Sequence, residues 1–449
     1  MRHINDFHGL TAVSLFIFCI SCSNPVPDSQ YSVKAKEAIS EVINHYKVAD
    51  PSPYKLKAAL FLIDNMWAHY SYASDRIYSY YEIAASVLSD TTLTRESQRD
   101  CLLYISDSMF PCLSDSTVSD IELLVPDYLI DNIDKSYDQW RNCPWADQIT
   151  FDEFLEWLLP YKGVEYQELD LWRDTLFLHF ATGLIDPVIN DVEYNTCMGV
   201  ADMIRSQASG CMDRYGLYTR SGYPLLSAYL LPRQTFGNIP DYTLVGLLAM
   251  RAAGVPAVMD ETPVGARYTA ATKWFVIKSD RGEELTSEWD LSTVIGAGFF
   301  PYERGPKVFR NTYAVDDLRL QYSRKAKYVY PFGLCKKDVT ERYFLTCNPE
   351  LPIQRSVRKK LKDKYVYIAS AVRSGDSNWC IVDFGTIKHG KACFRNMGRE
   401  VLYVIMGYDG RELVPITDPF ILHKDCSIEY VSNDTINSNA LDKWKNNAL

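Results

Sequence analysis

The spacing of apolar residues changes period along the chain, and this change constrains the fold more than any single residue does. From about 33 to 178 the spacing is helical. Pro51-Ser52-Pro53 opens a segment in which Leu56, Leu60, Ile63, Trp67 and Tyr70 recur at intervals of four, three, four and three, which predicts a helix with one apolar stripe. Thr150 and Glu153 have the spacing of a capping box before Phe151, Phe154, Leu155 and Leu158, and Pro160 stops that helix. After an irregular stretch rich in glycine and proline comes the best-defined helix. Asn238 can cap it, Pro240 suits its first turn, Leu244, Leu247, Leu248 and Ala252 give it a face, and Gly254 with Pro256 ends it. Short strands are expected at 255–259 and 274–278. After about 328 the pattern is one of strands, at 365–372, 379–384, 392–394 and 401–406, divided by turn signals such as His389-Gly390. The succession predicts an α+β chain with a helical amino-terminal region, a mixed core and a β-sandwich-like end.

A length of 449 residues suits about three domains. We place the boundaries at 1–21, 22–195, 196–328 and 329–432, with a polar tail at 433–449. A formal charge of −10 repels polyanions, and the short basic run from Arg355 to Lys360 does not offset it, so nucleic acid is not an expected partner. The apolar run from Leu10 to Ile20 is too short to span a bilayer and has the form of an export signal. Ile20-Ser21-Cys22 closes it and resembles a bacterial lipobox, which implies cleavage before Cys22 and acylation of that residue. The lipid would tether the mature chain to the cell envelope, with the outer membrane the expected location.

Twelve cysteines and seven histidines are the obvious candidates for chemistry. Beyond Cys22 no C-x-x-C pair occurs, and the chain has no H-E-x-x-H, so neither a metal nor another cofactor is expected. His69 is read as a packed or surface histidine. Asp120 with Glu122 and Asp170 with Asp174 are read as the carboxylate pairs common on exposed helix faces.

A helix ending in Arg251-Ala252-Ala253-Gly254-Val255-Pro256-Ala257, followed by a strand and a Trp-led strand, resembles the transglutaminase-like, papain-related fold. Further stretches, including Lys55 to Met66, His69-Tyr70-Ser71-Tyr72, Trp172-Arg173, Phe394 to Gly398 and Asp418-Pro419-Phe420, resemble a group of Gram-negative lipoproteins built around such a core. The resemblance implies a nucleophilic cysteine at the helix start, a histidine on a following strand and an orienting carboxylate. Here Gly237-Asn238-Ile239-Pro240-Asp241 puts Ile239 at the nucleophile position, and Thr272-Lys273-Trp274 puts Thr272 at the base position, with Asp290, or Glu288 as the alternative, left as carboxylate and Asp260 at the groove rim. No cysteine lies between Cys211 and Cys335 and no histidine between His179 and His389, so the core alone cannot form the dyad. The expectation is a non-catalytic groove marked by Ile239, Asp241, Asp260, Thr272, Trp274 and Asp290, binding a glycan or peptide or serving as scaffold. The alternative is cysteine-type acyl transfer or peptidase chemistry with a displaced nucleophile such as Cys211.

Overall fold

A computed structural model describes residues 31–109, 117–181, 196–211, 230, 239–264, 272–286, 304–372 and 379–431. Cys22, Asp290 and the tail fall outside these residues, as do the side chains of Cys211, Ile239 and Asp241.

The fold is α+β. The amino-terminal part runs α1 (Val33–Asn44), α2 (Pro53–Met66), β1 (Tyr70–Tyr72), α3 (Asp75–Ser89), α4 (Arg95–Met109), β2 (Thr117–Ser119), α5 (Pro126–Asn142), α6 (Phe151–Trp157) and α7 (Trp172–Phe180). The capping box at Thr150 and Glu153 is formed at the start of α6. In α2 the buried face is Ala58, Ala59, Leu62, Ile63 and Met66, while Leu60 is exposed. The apolar stripe read from the sequence is thus rotated. The small alanines face α1 and α5 and let those helices approach, and the chain leaves the helix after Met66, so Tyr70 belongs to β1.

The middle of the chain holds α8 (Cys197–Cys211), α9 (Ile239–Ala252), β3 (Ala257–Thr262), β4 (Thr272–Lys278), β5 (Glu284–Thr286), β6 (Phe309–Asn311), α10 (Asp317–Lys325) and β7 (Lys336–Asp338). Gly254, at φ +77°, turns the chain out of α9 into β3. The sheet is antiparallel in the order β5-β4-β3-β6-β7, so its last strand lies beyond the boundary read at 328. Met259, Phe275 and Ile277 face α9 in one core with Leu244, Leu247 and Leu248. Val258, Trp274 and Val276 face the other way, against Trp157, Val308 and Phe344.

The carboxy-terminal part comprises β8 (Thr346–Cys347), β9 (Glu350–Pro352), β10 (Tyr365–Ala371), β11 (Trp379–Lys388), β12 (Lys391–Cys393), β13 (Met397–Gly398), β14 (Val401–Tyr408), β15 (Leu413–Pro415), β16 (Phe420–Leu422) and β17 (Ile428–Tyr430). Eight of these strands form one curled antiparallel sheet, β17-β16-β14-β10-β11-β12-β9 with β15 beside β14, and β8 pairs with β13 separately. His389 and Gly390, both at positive φ, form the tight turn between β11 and β12. The fully buried Lys307 joins the two sheets: it pairs with Asp338 and Asp383 and donates to the Arg395 carbonyl. Gly398 passes so close to the 305–306 backbone that a Cβ there would lie 1.8 Å from the Gly305 carbonyl oxygen.

Candidate active site

The residues bearing chemistry come together where the helical part meets the five-stranded sheet, around a cavity of about 500 Å³. His69 lies in the turn between α2 and β1 and is almost fully buried. Its Nδ1 is 2.6 Å from Glu165 Oε1, its Nε2 is 2.8 Å from the Tyr313 carbonyl oxygen, and Cys335 Sγ is 3.6 Å from the same Nε2. The Tyr313 ring stacks on the imidazole at 4.4 Å. A carboxylate and a carbonyl accept but cannot donate, so both ring nitrogens must carry protons and the ring is an imidazolium. Burial opposes that charge, but Cys335 and Glu165 outweigh it and hold the His69 pKa well above its ordinary value. Burial also opposes the charge on Glu165. The hydrogen bond and charge of His69, with Lys162 and the Tyr70 N–H, prevail and bring its pKa down to about 2.

Each partner is positioned by its own scaffold. Glu156, half-buried at the end of α6, accepts from the N–H groups of Tyr313 (2.7 Å) and Ala314 (3.1 Å), which aims the Tyr313 carbonyl at the imidazole. Tyr313 OH donates to the Leu62 carbonyl in α2. The Thr312 N–H donates to the Cys335 carbonyl and the Asp316 N–H to the Leu334 carbonyl, so Cys335 is tied to the segment that carries Tyr313. Two buried arginines fix the loop leading to Glu165. Arg173 donates to the carbonyls of Leu158 and Leu159, and Arg251 to those of Trp157 and Lys162. Burial pushes both guanidinium pKa values down to about 9. Behind the cavity, the Lys162 ammonium pairs with Asp120 at 2.6 Å, and Asp120 also accepts from Ser71 and Tyr161 hydroxyls. Asp120 is therefore a buried member of this network and not half of an exposed carboxylate pair.

Tyr70, Tyr72 and Tyr166 line one side of the cavity, and Met259, Glu261 and Lys273 of β3 and β4 line another. Tyr166 has φ +65°, a conformation costly for a residue with a Cβ. Its N–H bonds the Tyr70 carbonyl, and its ring, 46% exposed, lies 5.5 Å from that of Tyr72.

The residues singled out from the core motifs lie elsewhere. Asp260 is fully buried, gripped by Arg310 Nε and Nη2 at 2.8 Å each and by Tyr343 OH at 2.6 Å. Trp274 sits directly across from it and donates to Tyr343 OH. Thr272 pairs with Thr262. Strand alternation puts Thr272, Trp274 and Asp260 on the face turned away from α9, the helix that Ile239 and Asp241 begin. Asp290 and the side chains of Ile239 and Asp241 lie outside the described residues, and Asp260 is a core ion pair, not a rim residue. Among the described residues, one further group has the compactness of a metal site, His45 with Asp50 and Asp134. The Lys55 ammonium already occupies it, 2.9 Å from Asp50 and 3.1 Å from Asp134.

The sequence reading missed His69, Glu165 and Cys335 as a set, because they are contributed by segments far apart in the chain and carry no local motif. One signal was present: the stretch without cysteine ends at Cys335. A thiol, an imidazolium and a carboxylate in series on a cavity wall have the parts of a nucleophilic acyl-transfer site. No family model, curated protein or solved structure matches the chain.

Proposed function

We propose that the protein is an exported, Cys22-acylated envelope protein of transglutaminase-like ancestry that performs cysteine-type acyl transfer, with Cys335 as the displaced nucleophile. The observation that carries the chemistry is the contact of Cys335 Sγ with His69 Nε2 at 3.6 Å while Glu165 holds the opposite ring nitrogen. In this reading the Cys335 thiolate adds to the carbonyl carbon of an amide or ester, and His69 Nε2 passes its proton to the departing amine or alkoxide. The acyl group is left on sulfur as a thioester. Water or an amine then attacks the thioester, its proton goes to His69, and the thiolate is regenerated. Glu165 keeps the ring oriented and balances its charge throughout.

The test is reaction with a p-nitrophenyl ester, followed by intact-mass analysis. A stoichiometric burst with an acyl adduct on Cys335, absent in Cys335→Ala, is the expected result; a burst retained in that variant refutes it.

A second reading is favoured by one distance. The Tyr313 carbonyl, at 2.8 Å, is nearer to Nε2 than the thiol is and claims the ring proton first. A fixed imidazolium among Tyr70, Tyr72 and Tyr166 then suits a non-catalytic cavity that binds a peptide or glycan. Under this reading no adduct forms, and a peptide or glycan array shows binding that Tyr166→Ala removes.

A further inference from the structure

Far from the cavity, two cysteines meet at the carboxy-terminal sheet. Cys347 lies in β8, directly opposite Met397 of β13, and burial and then the neighbouring thiol of Cys426, in the turn between β16 and β17, push its pKa up to about 12. Both are thiols here. The surrounding backbone holds the two segments together. The Arg399 guanidinium donates to the Thr346 carbonyl at 2.8 and 2.5 Å and to the Lys424 carbonyl at 2.6 Å, and the Glu400 N–H donates to the Leu422 carbonyl.

The turn supplies a second, independent observation. Cys426 N–H closes the turn onto the His423 carbonyl, and Cys426 adopts φ +67°. That is the position where hairpin turns ordinarily take glycine or asparagine. Cysteine there carries a backbone cost, and it exposes a residue type that is usually buried. The local turn gains nothing from a thiol, whereas a bond to Cys347 accounts for both features.

We propose that Cys347 and Cys426 form a disulfide in the oxidised protein. The bond would staple the hairpin ending in edge strand β17 to the β8–β13 pair and close a long loop of chain, which restricts the unfolded state. The oxidant is a small-molecule disulfide such as oxidised glutathione. One thiolate attacks it and releases one reduced thiol, and the second thiolate then displaces the other. Two cysteine protons are lost, one disulfide is consumed, and two free thiols are formed.

The test is to equilibrate native full-length protein with oxidised glutathione, block free thiols with iodoacetamide under denaturing conditions, and map peptides without reduction. The expected product is a cross-linked peptide pair containing Cys347 and Cys426, about 2 Da lighter than the two dithiol peptides together and separated by dithiothreitol. Cys347→Ser should leave Cys426 fully alkylated, and reducing the wild type should lower its melting temperature by several degrees. Recovery of both cysteines alkylated after oxidation, or their pairing with other cysteines, overturns the proposal.

Discussion

Replacing Glu165 with Gln keeps the size and one acceptor oxygen of the side chain but removes the charge that faces His69. The Glu165 pKa lies at about 2 against an ordinary 4.5, which in full corresponds to about 3 kcal/mol of native-state stabilisation. The carboxylate side chain is 42% exposed, so solvent screening reduces this to about 1–2 kcal/mol. Because the Glu165 pKa is depressed, its contribution is complete above about 4.5 and is lost as pH falls through about 2. Because the His69 pKa is raised, its contribution is complete below about 6.5 and is lost as pH rises through its folded-state value. Urea unfolding of wild type and Glu165→Gln should therefore differ by about 1–2 kcal/mol between pH 4.5 and 6.5, and the gap should narrow as pH is lowered toward 3. Histidine NMR should show the His69 pKa lowered in the variant by about one unit. A gap that is constant across this range, or a His69 titration that does not move, refutes the ion pair.

Asp120→Asn leaves the buried Lys162 ammonium without its counter-charge and should cost about 3–5 kcal/mol in chemical denaturation. Asp174→Asn, at the exposed pair with Lys135, should cost less than about 1 kcal/mol in the same assay. Gly398→Ala places a methyl group against the Gly305 carbonyl and should destabilise by about 3 kcal/mol or more, read from the urea midpoint with an unchanged slope.

The elements were legible where local chemistry sets them. The Thr150–Glu153 box, the Gly254 exit from α9 and the His389-Gly390 turn each act within a few residues, and the structure has them at those positions. The face of α2 was not legible, because alanines that allow helices to pack closely carry little hydrophobic signal next to Leu56 and Leu60. Strand alternation decides the fate of Asp260 and Trp274. Their spacing was visible in the sequence, but which side of the sheet α9 would cover was not. The site depends on still longer reach, with 96 residues separating His69 from Glu165 and 266 separating it from Cys335. What identifies such residues is tertiary: a buried turn histidine, a loop stapled by two arginines, and a thiol just ahead of a sheet's last strand.

Thiol-specific labelling tests whether His69 makes Cys335 a reactive nucleophile. Native protein is treated with limiting iodoacetamide at pH 6, where an ordinary thiol is almost wholly protonated, and the modified cysteines are mapped over time. Cys335 should be modified ahead of Cys393, the half-exposed cysteine of β12, and His69→Gln should slow it about tenfold or more while leaving Cys393 unchanged. Cys335 lagging behind Cys393 at a rate indifferent to His69→Gln would contradict activation by His69.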